Sequence, residues 1–324
     1  VYRDFYPINR GAGSATISGA MNLQGATRTF DVKEGDVTIS GAISNGDLTK
    51  TGASLLTLSG DNDFSGSTTL SGGDLLYNGT NTSSAVSVAS GARLFGAGSI
   101  GATTVSGTIG AGSATNAAAG ILDVTSITLQ GGGTAIVDIA KAYLPASSDP
   151  GVDYDQIRVG GTITVSSDAG SPFTIKVVEG ASSTFDNTKS YSWVIFSGAS
   201  LAGFAEAKFA IDTNSWSTSV GTGNFTLRQY LGDIYLEFDP ASTGTFQWDA
   251  GAGTGDLDWS NATNWQANLE PGASDTAHIN GGYTAVISLA EQSVDLLVGD
   301  ANDGTGTVRQ VGGSLTLGDE LFLG

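Results

Sequence analysis

The chain has no cysteine and a single histidine, His278, in 324 residues. No disulfide can staple the fold and thiol chemistry is absent. A zinc or iron centre is likewise not expected from one histidine. Basic residues number only 13 against 32 acidic ones, a formal charge of −19, and they are scattered. Phosphate binding needs a concentrated positive patch, so no nucleic-acid partner is expected. An anionic membrane surface is disfavoured for the same reason. Neither a signal peptide nor a run long enough to span a bilayer is present, so no membrane insertion is expected. The chain opens at Val1 without Met and stops at "LFLG" directly after a strand pattern. It therefore reads as a mature or excised portion of a longer product.

Proline is scarce at 6 residues, glycine abundant at 48, and 40% of the chain is apolar, too much for disorder. The Glu, Lys, Ala and Leu runs that build surface helices are missing. The expected class is all-β with many tight turns. Alternating apolar pairs recur throughout: Val37 and Ile39, Leu56 and Leu58, Val86 and Val88, Ile127 and Leu129, Ile163 and Val165, Leu315 and Leu317. Each pair puts two side chains on one face of a strand, and turn residues follow closely. One stretch is echoed: "GDLTKTGASLLTLSG" from Gly46 and "GTVRQVGGSLTLGDE" from Gly306. Units too small to bury their own apolar side must stack and cover one another. The predicted architecture is a right-handed parallel β-helix, a β-solenoid with coils of roughly 20 to 25 residues, whose corners use Gly and Asn at positive φ.

Residues 46 to about 78, "GDLTKTGASLLTLSGDNDFSGSTTLSGGDLLYN", resemble the autotransporter-associated β-strand repeat of secreted bacterial passenger proteins. Leu48, Lys50, Gly52, Leu56, Leu58, Gly60, Asn62, Phe64, Gly66, Thr68, Gly73 and Leu75 fall on its pattern in order. Phe64 replaces the usual Tyr, and Ser54 the second Gly. The resemblance implies a parallel β-helix exported to the cell surface or beyond, acting as stalk, adhesin or scaffold.

Three regions are expected: a β-solenoid over 1–170, an aromatic-rich capping or widened region over 171–240, and a second β-repeat module over 241–324. The middle region concentrates rings such as Phe173, Tyr191, Trp193, Trp216 and Phe238. A linker is expected at Pro240 to Gly244, before a Trp-rich opening.

Candidate sites are sparse. Ser274, Asp275 and His278 lie too close along one strand to converge as a triad. The i, i+2 pairs Asp61 with Asp63, Asp153 with Asp155 and Asp256 with Asp258 could be paired carboxylates of a polysaccharide-cleaving enzyme. Their Gly and Asn neighbours read instead as turns. Asp300, Asn302 and Asp303 share one loop, a partial calcium pattern without the distal Glu of an EF-hand. Asn62 reads as a polar ladder in a corner and Phe64 as core. Sequons at Asn78, Asn81, Asn224 and Asn261 are expected by chance in so Ser/Thr-rich a chain.

The sequence thus reads as a non-enzymatic, exported structural protein that needs no cofactor, with calcium the one metal considered. Its expected partners are copies of itself, head to tail, the aromatic arm "VYRDFYP" of one completing the coil near Leu321 and Leu323 of another. Cell-surface or matrix glycans are the alternative, favoured if Trp248, Trp259 or Trp265 are exposed. A lyase or glycosidase would need at least three carboxylates and a basic residue along one groove.

Overall fold

A computed structural model of the chain describes residues 13–113, 119–142, 148–181, 183–187, 189, 191–221, 223–239, 245–248, 257–265, 270–272, 275–279, 282–288, 290–293, 295–299, 305–317 and 321–323. Most of their strands stack in parallel as the rungs of a β-solenoid, while Asn224–Tyr230 and Asp233–Asp239 pair as consecutive strands joined by two residues. Two compact units are present, one of residues 1–185, 193–218 and 231–235, the other of 186–192, 219–230 and 236–324.

In the first unit a nine-stranded parallel sheet runs from Ala15–Ile17 through Val37–Ile39, Leu56–Leu58, Gly73–Tyr77, Ala92–Phe95, Thr108–Gly110, Thr134–Ile139 and Phe173–Glu179 to Phe209–Ser215. Its register aligns Val37, Leu56, Leu75, Leu94, Ile109, Ala135 and Ile175 in one inward column. Each of these is at most 1% exposed. Most residues on either side are at least partly exposed, as a period of two requires, the buried Phe95 beside Leu94 being an exception. Side chains of one coil thus land on their counterparts in the next, and backbone hydrogen bonds join the same neighbours.

A second wall stacks Leu48, Thr68, Val86, Thr103, Ile127 and Ile163. The two buried threonines in it are satisfied: Thr68 Oγ1 pairs with Ser84 Oγ at 2.9 Å, and Thr103 Oγ1 donates to the Gly101 carbonyl at 3.0 Å. A third wall of short strands follows Thr80–Asn81, Ser99–Ile100, Ile121–Val124 and the first half of Gln156–Val165. Gln156–Val165 serves both walls, shifting register against Tyr191–Ala202 between Val159 and Thr162.

Coil length departs from the 20 to 25 residues expected. Nineteen residues separate Val37 from Leu56, Leu56 from Leu75 and Leu75 from Leu94. The next spacings are 15, 26, 40 and 36 residues, ending at Ile211. In the coil from Leu94 to Ile109 the strands are joined by only two or three residues, whereas the later coils have both longer connections and longer strands, such as Gln156–Val165 and Tyr191–Ala202. The inward column is unaffected by either.

The second unit repeats the arrangement. Thr245–Gln247, Thr276–Ile279, Asp295–Val298 and Leu321–Leu323 form one parallel ladder. Thr284–Ile287 pairs with Thr307–Gln310, and Ala290–Ser293 with Ser314–Leu317. Its core holds Trp248, Trp259 and Trp265, each 0% exposed. Trp265 meets the other two rings edge-on at centroid distances of 5.0 and 4.8 Å, an arrangement favoured by the ring quadrupole. Pro240 to Gly244 lie outside the described residues.

Candidate functional site

The repeat at residues 46–78 supplies the densest set of specific side chains. Leu48, Lys50, Leu56, Leu58, Phe64, Thr68 and Leu75 are all 0% exposed. Gly52 has φ +78°, and a Cβ there would lie 2.3 Å from the Val32 carbonyl oxygen of the preceding coil. A Cβ on Gly60 would lie 2.5 Å from the Gly41 oxygen. These positions need glycine because coil backbones touch.

Lys50 is the exception in an apolar column, stacked between Phe30 and Leu70. Its ammonium donates to the carbonyls of Thr51 at 2.9 Å, Gly52 at 2.8 Å and Gly72 at 3.1 Å. Three donors therefore meet three acceptors, which is the full capacity of the group. Burial pulls its pKa down to about 8, opposed by the charges of Asp74 and Asp31. It remains protonated at neutral pH and closes a corner between two coils.

Asn62 works at the opposite corner. Its Oδ1 accepts the Ile43 N–H at 2.8 Å, while Nδ2 donates to the Gly60 carbonyl at 2.9 Å and Tyr77 Oη at 3.2 Å. Asn81, one coil on, donates to the Phe64 carbonyl at 3.0 Å. Both asparagines are buried, in keeping with the polar corner expected. Asn81 is thereby occupied by the fold rather than displayed as a glycan acceptor.

The paired carboxylates separate into different environments. Asp61 and Asp63 are exposed on either side of buried Asn62, and Asp61 accepts from Thr80 Oγ1 at 2.9 Å. Asp153 and Asp155 are buried at 4% and 3% exposure. Asp153 Oδ2 accepts the Asp149 N–H at 2.9 Å, a turn role. Asp155 takes the N–H of Gly120 at 2.8 Å and of Asp138 at 3.1 Å. Asp258 accepts from the Ser260 N–H and hydroxyl, again within a turn; Asp256 lies outside the described residues. Asp275 accepts the Gly272 N–H at 2.9 Å, and His278 stands in a strand opposite Leu297; Ser274 lies outside the described residues.

A further charged cluster was not legible in the sequence. Arg228 pairs with Glu237 at 2.6 Å, and the charges of Glu270 and Glu291 also act on it. Glu291 is 5% exposed, and burial raises its pKa against the opposing pull of Glu270 and Arg228. Three carboxylates and a guanidinium are thus gathered, with Glu270 partly exposed and the other three mostly buried. The Arg228 and Glu237 side chains are only 19% and 14% exposed, so the cluster does not line an open sugar groove. No sequence signal brings these positions together, since they lie on four separate segments.

Trp248, Trp259 and Trp265 offer no face to a sugar, because all three rings are interior. Trp265 Nε1 donates to the Trp259 carbonyl at 2.8 Å. Among the described residues no group of three His, Cys, Asp or Glu side chains is placed to hold a metal. Asp300, Asn302 and Asp303 lie outside the described residues, as does the arm at residues 1–7. Among the described residues no helix is long and apolar enough to cross a membrane.

Residues 48–76 match the family model described as the passenger-associated-transport-repeat. The match covers the segment whose side chains build the Lys50 and Asn62 corners. No curated protein matches the chain.

Proposed function

We propose that this chain is an extracellular structural scaffold, the β-solenoid of a bacterial cell-surface stalk or fibre, with no catalytic activity of its own. The passenger repeat at 48–76 supports export to the surface. The observation that carries the structural reading is the use made of that repeat. Leu48, Leu56, Leu58, Leu70 and Leu75 fill inward columns, its lysine and asparagine close corners, and Gly52, Gly60, Gly66 and Gly73 lie where neighbouring backbones touch. A motif consumed in this way encodes stacking. Negative-stain microscopy of the secreted protein tests the reading: slender rods of even width are expected, and compact globular particles would refute it.

A further inference from the structure

A groove crosses successive coils on the third wall of the first unit. One bank is the outward column Thr80, Ser99, Asp123, Arg158 and Ser197, held in register by the parallel ladder. Two residues on from the first four stand Thr82, Gly101, Thr125 and Gly160. Between the banks Asn81, Ile100, Val124 and Val159 turn inward and are buried. The groove has a volume of about 320 Å³. That is the small end of the about 300–1,000 Å³ of ligand sites, room for a mono- or disaccharide unit.

Gly160 leaves the groove unobstructed. Its φ is not positive, and a Cβ there would have no heavy atom nearer than 3.8 Å. At Gly101, by contrast, a Cβ would run into the Ser84 carbonyl of the preceding coil. Coil packing therefore demands the glycine at 101 and not the one at 160. The charged pair in the groove is matched and accessible. Arg158 Nε and Nη2 donate to Asp123 Oδ1 and Oδ2 at 2.8 and 2.9 Å, and the two side chains are 53% and 40% exposed. This fork uses only part of either group: the guanidinium keeps further N–H donors, and each carboxylate oxygen a further lone pair.

Charge narrows the class of ligand. Asp123 answers Arg158 in a chain of formal charge −19, so an anion finds no net attraction here. A cation meets a carboxylate already engaged by a guanidinium. An apolar ligand would cover the remaining donors and acceptors and leave them unpaired, which is costly. A neutral ligand with adjacent hydroxyls satisfies both groups: one hydroxyl accepts from an Arg158 N–H while its neighbour donates to an Asp123 oxygen. We propose that this groove binds a neutral oligosaccharide lying along the solenoid, with the Arg158–Asp123 fork gripping a vicinal diol and Gly160 admitting the ring. The groove belongs to a few rungs and is independent of rod length, so sugar binding and rod shape stand or fall separately.

The test is amide NMR of the full chain titrated with cellohexaose and maltohexaose, which carry adjacent free hydroxyls on every ring, and with hexagalacturonate, which adds a carboxylate to each ring. At least one neutral sugar should shift the Ser99, Asp123, Thr125, Arg158 and Gly160 amides saturably, while those of Leu56–Leu58 stay in place. Hexagalacturonate should bind at least threefold more weakly. Arg158→Met removes the fork and Gly160→Phe fills the groove. Each should weaken binding at least tenfold with the Leu56–Leu58 amides unmoved. Silence from both neutral sugars overturns the proposal, as does equal binding of the acidic one or parent-like affinity in either variant. So does a shift of the same amides on dilution of the protein alone, which marks the groove as a contact between copies.

Discussion

Lys50 Nζ donates a 3.1 Å hydrogen bond to the carbonyl of Gly72, twenty-two residues further along the chain. With Thr51 and Gly52 as its other acceptors, the ammonium joins that corner's three carbonyls. Lys50→Met keeps most of the volume and removes every donor. It should cost about 2–4 kcal/mol, because buried acceptors lose charged hydrogen bonds. Gln310 occupies the matching place in the echo from Gly306, but is exposed and donates once, to the Gly313 carbonyl. Gln310→Ala should therefore change stability by less than about 0.5 kcal/mol. Thermal unfolding of both variants checks the contrast.

Gly60 and Gly72 make a second contrast. A Cβ on Gly60 would meet the Gly41 main chain at 2.5 Å, whereas one on Gly72 meets nothing within 4 Å. Neither glycine has a positive φ. Gly60→Ala should lower the melting temperature strongly, since one of two hydrogen-bonded backbones must move. Gly72→Ala should leave it within a degree or two. Equal effects would mean that coil spacing is not set by this contact.

Glu179 accepts four hydrogen bonds, from the N–H and hydroxyl groups of Ser217 and Thr218. Burial pushes its pKa up, but the hydroxyls and N–H groups of those two residues together hold it below the ordinary 4.5. A depressed carboxyl pKa contributes stability above the unfolded value and loses it as pH falls through the folded one. Glu179→Gln should cost about 1–2 kcal/mol at pH 7, and progressively less as pH falls through the folded value. Melting curves at the two pH values, parent against variant, measure the difference.

Trp265 packs between Trp248 and Trp259 with no exposed surface. Trp265→Ala should destabilise the second unit by about 3–5 kcal/mol, seen as an early tryptophan-fluorescence transition. A sugar-binding surface tryptophan would instead lose ligand affinity with little change in melting.

The rungs were readable because period-two alternation is a local property. Leu56 with Leu58 and Val86 with Val88 each declare an inward face within three residues, and each pair is buried. Phe64 and Asn62 were readable from the repeat pattern. Lys50 was placed by that pattern, but its burial was not foreseen, since a lysine between threonines looks solvated until the turn geometry supplies three carbonyls. The Asp155 corner joins partners 35 and 17 residues away, and nothing local distinguishes it from an ordinary turn aspartate. Coil lengths were misjudged because the turn signals marking a corner do not say how far the chain travels before the next rung.

Leu94, Ile109, Ala135 and Ile175 remain in line although the chain between successive members varies from 15 to 40 residues. Alignment is therefore indifferent to what is spliced between rungs. A foreign peptide grafted into one of the longer connections should leave the inward stack in place, so the molecule can acquire new surface by recombination without redesigning its interior.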